Sequence, residues 1–379
     1  MNTDQLKNPL EIWVKEDLFL PKSSLIPLLM HTTPPDTKPV PGFGNSLQES
    51  WNLLHESLKG VVTVRQFKNL EDAGSLVVTP HALQDYIEPG LFNSACQLYR
   101  KAVASGRTPI IFPGGIEYRA RPGEIVFATS GYRDRSTATE ISTPAWLYDL
   151  GAKVSTIPKP SLPTVGFVGA TQYPGRVNQL LENLPKSDII LRSLAGNPWF
   201  NRTAYLGARL PVARAFRKHT LKETLKSPEL KTDFIERNVH YFLQSKEYKD
   251  RARNEYIENL EKNAYILCMR GSENFSYRLY EVMSAGRIPI IIDTNMRLPE
   301  LESMNWEDFS VIVPYLEVGK IGKIVAGFHD RLSDDDFAEV CRKSRAAFEE
   351  LLPHNFIFKF VKYLQTHQTV LHSLPESQS

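Results

Sequence analysis

Residues 264–299 read AYILCMRGSENFSYRLYEVMSAGRIPIIIDTNMRLP, two apolar runs separated by roughly one helix that ends at Gly286. Neither Ala264–Cys268 nor Ile288–Ile292 alternates polar with apolar residues, so each reads as a strand buried on both faces, the kind found in parallel sheets covered by helices. The stretch between them opens a turn at Met269–Ser272, starts a helix near Phe275–Ser276 and enters the next strand through Gly286. This strand–helix–strand unit sets the class of the chain as α/β with parallel sheets.

The rest of the chain repeats the theme. Glu11–Val14, Ser75–Thr79, Thr108–Phe112 and Glu124–Thr129 read as strands, with helices at Leu47–Leu58 and Asn93–Ser105, the second stopped by Gly106. The Pro- and Gly-rich stretch Pro34–Gly44 reads as a loop. Ile157–Pro163 is rich enough in proline to read as a linker, after which a second α/β sheet begins. Its expected parts are a strand at Thr164–Gly169, a helix at Arg176–Leu184, a strand at Asp188–Arg192, a polar helical middle at Lys218–Asp250 and a late strand at Phe309–Val313. Ser333 and the acids after it read as the capped start of a helix over Phe337–Leu352. An amphipathic helix follows Pro353 through Phe356, Phe360, Val361 and Leu364. The expected division is residues 1–157, residues 158–352, and a tail, 353–379, that packs back on the first domain.

Composition narrows the partners. With 45 Lys+Arg against 43 Asp+Glu the net charge is +2, so the whole molecule offers no basic field for a nucleic-acid backbone, and any anion must be met locally. The cysteines, Cys96, Cys268 and Cys341, are far apart and in no metal-ligand spacing. The acids of the N-terminal stretch interrupt any secretory apolar region, and the run Ile288–Ile292 falls well short of the ~20 residues a bilayer needs. The expectation is a cytoplasmic protein without an integral membrane segment; its oligomeric state is open.

The strand-to-helix junction in 264–299 carries the chemistry. A helix start beyond a parallel strand offers N–H groups and a positive dipole end to a phosphate, Arg270 adds a charge-assisted partner, and Glu281 is suited to accept from the hydroxyls of a ribose. The ordered pattern Leu267-Cys268-x-Arg270-Gly271, Ser276-x-Arg278-Leu279-x-Glu281, Gly286-x-Ile288-Pro289-Ile290-Ile291 and Leu298-Pro299 resembles the signature of the exostosin family of glycosyltransferases. That resemblance implies a GT-B architecture, in which two facing Rossmann-like domains with parallel sheets enclose an interdomain cleft and the C-terminal one holds a nucleotide diphosphate sugar. It also implies Arg270 as the diphosphate-binding arginine, Gly271 and Ser276 as contacts at the turn and helix start, Arg278 as a structural or phosphate-side arginine, and Glu281 as the ribose-binding acid. Arg192, at a strand end of the same domain, is a further donor-binding candidate.

Family members are inverting, so a general base must take the proton of the acceptor hydroxyl. Candidates at the ends of N-terminal strands are His81, Asp85 and Glu140, with Asp134 beside them. Glu273 stands where family sequences often have glycine, and its spacing to Glu281 resembles that of retaining GT-B enzymes, which leaves the stereochemical course open. No metal and no cofactor is expected: arginines and helix dipoles can neutralise the leaving diphosphate, and Asp334–Asp336 belong to the helix cap. The expected function is transfer of a sugar from a nucleotide diphosphate, a UDP-sugar by preference, to a glycan or other hydroxyl acceptor. The alternatives are a non-catalytic exostosin-like subunit and a fucosyltransferase-like enzyme using a GDP-sugar.

Overall fold

The computed structural model describes residues 9–21, 23–32, 45–116, 118–146, 148–171, 212–239, 244–271 and 273–371. They form an α/β protein with two sheets, of six and five strands among the described residues, in which every strand pair is parallel. The chain divides into two compact units: Met1–Trp146 with Arg297–Pro299 and Glu350–Ser379, and Leu147–Met296 with Glu300–Glu349.

The first unit holds β1 (Leu10–Lys15), α1 (Asn45–Leu58), β2 (Val62–Phe67), β3 (Leu76–Val78), α2 (Phe92–Ala104), β4 (Thr108–Gly114), β5 (Ile125–Ala128), β6 (Glu140–Ser142) and the terminal helix Pro353–Leu371. The strands lie in the order β2-β1-β3-β4-β5-β6. One face of α2 buries Ala95, Leu98, Tyr99 and Ala102, at the spacing that a helix places on one side. Phe127 stacks on Phe112 at 4.6 Å and receives Phe360 of the terminal helix edge-on at 4.1 Å, while Trp146 meets Trp51 at 5.5 Å and Phe356 at 5.9 Å. Aromatic pairs of this kind add about 0.5–1.5 kcal/mol each beyond their buried area. β2 and β6 escape sequence reading for simple reasons. β2 is an edge strand with Arg65 and Gln66 exposed, and β6 is a three-residue edge.

The second unit holds β7 (Thr164–Ala170), α3 (Val212–Leu225), β8 (Lys231–Arg237), α4 (Lys246–Lys262), β9 (Tyr265–Cys268), α5 (Tyr277–Ser284), β10 (Ile288–Asp293), β11 (Val311–Pro314), α6 (Ile321–Asp330) and α7 (Asp334–Glu350). Its strand order is β11-β10-β9-β7-β8. The sequence reading of Lys218–Asp250 as helical needs correction, since β8 crosses it. Among the described residues this strand pairs only with β7, and as an edge it mixes the exposed Lys231 and Glu236 with half-buried residues in a way that imitates a solvated helix face. The helix expected at Arg176–Leu184 and the strand at Asp188–Arg192 lie outside the described residues.

The chain changes units at Trp146–Leu147, and the proline-rich stretch near 160 belongs inside the second unit. It is held there: Lys159 Nζ donates to Leu332 O at 2.7 Å, and Pro160 O accepts from His329 Nε2 at 2.9 Å. Burial holds His329 below the ordinary histidine range, which favours the neutral ring, and Tyr265 Oη lies 3.0 Å from its Nδ1. At the start of α7, Ser333 Oγ accepts from Asp336 N at 3.1 Å, and the Asp336 carboxylate accepts from Ser333 N at 3.2 Å and Ser333 Oγ at 2.7 Å. Asp336 is therefore used in a reciprocal cap. Among the described residues no helix is long and apolar enough to cross a membrane.

Gly166 shows how closely β7 is packed. A Cβ there would lie 2.5 Å from Asn259 Oδ1 and 2.8 Å from Ile266 Cδ1. Asn259 and Asn263 cannot easily yield, because their Nδ2 groups both hold the Asp233 carboxylate, at 3.0 and 2.9 Å. Gly166→Ala is expected to destabilise the protein by about 2–3 kcal/mol, read as a lowered urea midpoint. An unchanged midpoint would contradict this packing.

Candidate functional site

In an open parallel sheet, ligands bind beyond the carboxyl ends of the strands where the strand order reverses. In the second unit the chain runs outward from β7 to β8 and returns to β9 on the other side of β7, which puts the reversal between β7 and β9. Their ladder covers Val165↔Tyr265 and Gly166↔Ile266. Carried further, the same register brings Ala170 level with Arg270, where carbonyl oxygens face the gap.

Three arginines meet there. An Nη of Arg278 donates to Val168 O, and its guanidinium lies between the rings of Phe167, at 5.0 Å, and Tyr256, at 5.3 Å. Arg217, on α3, donates to Ala170 O at 3.2 Å and to Arg270 O at 3.0 Å. Arg270 itself is 6% exposed, sits over the Phe216 ring at 5.9 Å, and its Nε reaches Gly271 O at 3.4 Å. Of these residues the sequence pattern named Arg270 and Arg278 and missed Phe216 and Arg217. Their only signal was a basic, otherwise ordinary helix, and strand order is what carries them to this edge.

The turn after β9 is closed on itself. Gly271 N donates to Phe275 O at 2.9 Å, and Phe275 N to Glu273 O at 2.9 Å. The Gly271 N–H is thus taken by the turn, a correction to its reading as a donor contact; what glycine contributes is a small residue beside Arg270. Ser276 occupies the N-cap of α5 with extended backbone and makes no side-chain cap bond. Burial pushes the Glu273 carboxyl above the usual range, with the nearby Arg270 opposing it only in part.

Glu281 is buried in α5, 8% exposed. Burial raises its carboxyl, and Arg278 first, then Arg253, act in the opposite direction. Arg253 lies flat against Tyr148, 3.6 Å from the ring centroid. Arg278, Arg253 and Tyr256 thus act on the Glu281 carboxyl from within the same unit, against its burial. Arg192 lies outside the described residues.

The candidates of the first unit fall into two groups. Between β1 and β3, where that sheet reverses, its own chain fills the edge: His81 Nε2 accepts from Leu20 N at 2.8 Å, Nδ1 donates to Ser24 O at 2.9 Å, and Tyr86 Oη donates to Leu18 O at 2.9 Å. With both ring nitrogens engaged, His81 anchors a loop and has no lone pair for an acceptor proton, which corrects its reading as a base. Glu140 is likewise committed, accepting from Ala120 N at 2.7 Å and pairing with Arg297 Nη1 at 3.5 Å. Asp134 is exposed on a short helical turn. Asp85 is half-buried, and burial raises its carboxyl. It lies beside Gln84, whose Oε1 accepts from Gly115 N at 2.7 Å after β4.

Comparison with known proteins agrees with the region that carries the arginines. Residues 210–328 match the Exostosin GT47 domain. An Arabidopsis thaliana protein named "Probable glucuronoxylan glucuronosyltransferase IRX7" is 34% identical over 70 residues, 18% of this chain and 16% of that protein. Another from Arabidopsis thaliana, "Probable beta-1,4-xylosyltransferase IRX10L", is 36% identical over 67 residues, 16% of each. The chain thus matches less than a fifth of the length of these relatives. A crystal structure of an alpha1,3-fucosyltransferase aligns over 100% of this chain and 95% of its own at 11% identity, with a TM-score of 0.39, a likeness too low to bear weight here. Of that edge, α3 and β9 with Arg217, Arg270 and Arg278 fall within the residues that match the Exostosin GT47 domain, and β7 precedes them in the chain.

Proposed function

We propose that the chain is a glycosyltransferase of the GT-B type whose second unit binds a nucleotide diphosphate sugar, a UDP-sugar by preference, beyond the carboxyl ends of β7 and β9. The observation that carries this reading is the meeting of Arg217, Arg270 and Arg278 at a sheet reversal in a chain of net charge +2. A diphosphate must be met locally in such a molecule, and the strand-end carbonyls that would repel it are occupied by guanidinium groups. Arg270 is assigned to the diphosphate, the Ser276 hydroxyl to a phosphate oxygen, and Arg278 with Glu281 to the frame that holds the edge. The glucuronosyl- and xylosyltransferase names of the relatives suit a glycan acceptor.

In the reaction, the acceptor oxygen bonds to the anomeric carbon as the bond from that carbon to the diphosphate breaks. A general base takes the hydroxyl proton, and Arg270 offsets the charge that builds on the leaving diphosphate. Backside attack of this kind inverts the anomeric centre. A cytoplasmic setting is part of the proposal and suits three cysteines spaced far apart in the chain.

Thermal-shift screening against UDP-, GDP- and CMP-sugars tests the reading. Stabilisation by a UDP-sugar, with transfer of its sugar to a glycan, is the expected result. Stabilisation by GDP-sugars alone would favour the fucosyltransferase-like alternative. Donor binding without transfer to any glycan would favour the non-catalytic one. No stabilisation by any of the three would remove the donor site.

A further inference from the structure

We infer that Arg217 is a positioning residue for the diphosphate: it fixes Arg270 by bridging the ends of β7 and β9, and it does so by geometry and not as a second phosphate ligand. The inference rests on the donor-site reading above. Where the two strands part, the β7–β9 ladder no longer ties them, yet Arg217 donates to Ala170 O and to Arg270 O from two nitrogens of one guanidinium. A planar fork can span two carbonyls at once, whereas an ammonium is a single point that cannot hold the same pair in a fixed plane. The preceding residue on α3 adds a second hold, since the Phe216 ring lies under the Arg270 guanidinium. That ring is itself braced edge-on by Tyr315, 4.4 Å away.

One helix therefore grips both ends of Arg270, its backbone through Arg217 and its side chain through Phe216. The two contacts come from adjacent residues, so a shift of α3 moves both together. Bridging the carbonyls also changes the sign of the edge. Two oxygens that would face an incoming anion are covered by a cation, which leaves the Arg270 side chain to act on the phosphate without competition from them.

The test is titration of UDP and of uridine into the full chain, the wild type beside Arg217→Gln and Arg217→Lys, with GDP and guanosine run in parallel. Thermal unfolding of each variant is recorded. The wild type is expected to prefer the diphosphate over the nucleoside. Both variants are expected to lose about tenfold or more of that preference, the scale on which partners that orient a binding group act, with nucleoside affinity retained. Four results would overturn the inference. If Arg217→Lys keeps the wild-type preference, Arg217 acts through its charge. If both variants weaken diphosphate and nucleoside equally, the residue is only structural. If neither variant changes the preference, the bridge does not matter to the ligand. If the wild type binds neither UDP nor GDP, the donor-site reading falls and this inference falls with it.

Discussion

Replacing Arg270 with alanine is expected to weaken binding of a nucleoside diphosphate by at least about 100-fold, the loss of roughly 3 kcal/mol that two charge-assisted hydrogen bonds supply. The size follows from where the side chain sits. Arg270 is 6% exposed and lies over an aromatic ring, so its interaction with an anion is little screened by water. Alanine removes the guanidinium and also the cation that favours the charged form of the Glu273 carboxyl, which burial already raises. Arg270→Lys separates the two: it keeps a cation for Glu273 but lacks the fork, and binding should fall between wild type and Arg270→Ala. Calorimetric titration of UDP and GDP reads all three proteins. Undiminished binding by Arg270→Ala would sink the assignment.

The other large effect is on stability. Arg287 is 1% exposed, yet it donates from Nε to Leu260 O at 2.8 Å, from Nη2 to Ser155 O at 2.8 Å and from Nη1 to Ala285 O at 3.3 Å. Its own carbonyl accepts from Ser344 Oγ at 2.8 Å. One side chain thus ties the end of α4, the end of α5 and the segment ahead of β7. A buried donor or acceptor left without its partner costs about 1–3 kcal/mol, so Arg287→Lys, which cannot reach all three carbonyls, is expected to destabilise by about 3–5 kcal/mol. That is a large part of the ~5–15 kcal/mol that holds a domain folded. Urea unfolding checks it, and a lysine variant as stable as the wild type would show that the three bonds carry little.

How much of this was legible in the sequence depended on which force placed each residue. β9 and β10 were readable because both are apolar throughout, and burial on two faces leaves no other pattern. The turn and helix between them followed from chain length, which is why Arg270 and Arg278 could be grouped with a phosphate. β8 was not readable, since an edge strand mixes charge and apolar residues as a surface helix does. His81 and Glu140 illustrate a different failure. Residues just after strands look like ligands in a sequence, and only coordinates reveal that backbone groups have already claimed them. Arg217 was hidden for the opposite reason: it lies far along the chain from Arg270, and the order of strands across the sheet is what makes them neighbours.

The short excursion Arg297–Pro299 has a practical consequence. It belongs to the first unit although the chain on both sides of it belongs to the second, and Ser142 and Glu140 both bond to Arg297. The first unit is therefore assembled from three separate pieces of chain and the second from two. Neither can be produced by a single cut, and a chimaera that exchanges one unit for that of a relative must carry four junctions. Recombination between relatives at one crossover would break Arg297 from Glu140 or leave the tail helix with a foreign sheet, so the two halves are bound to be inherited together.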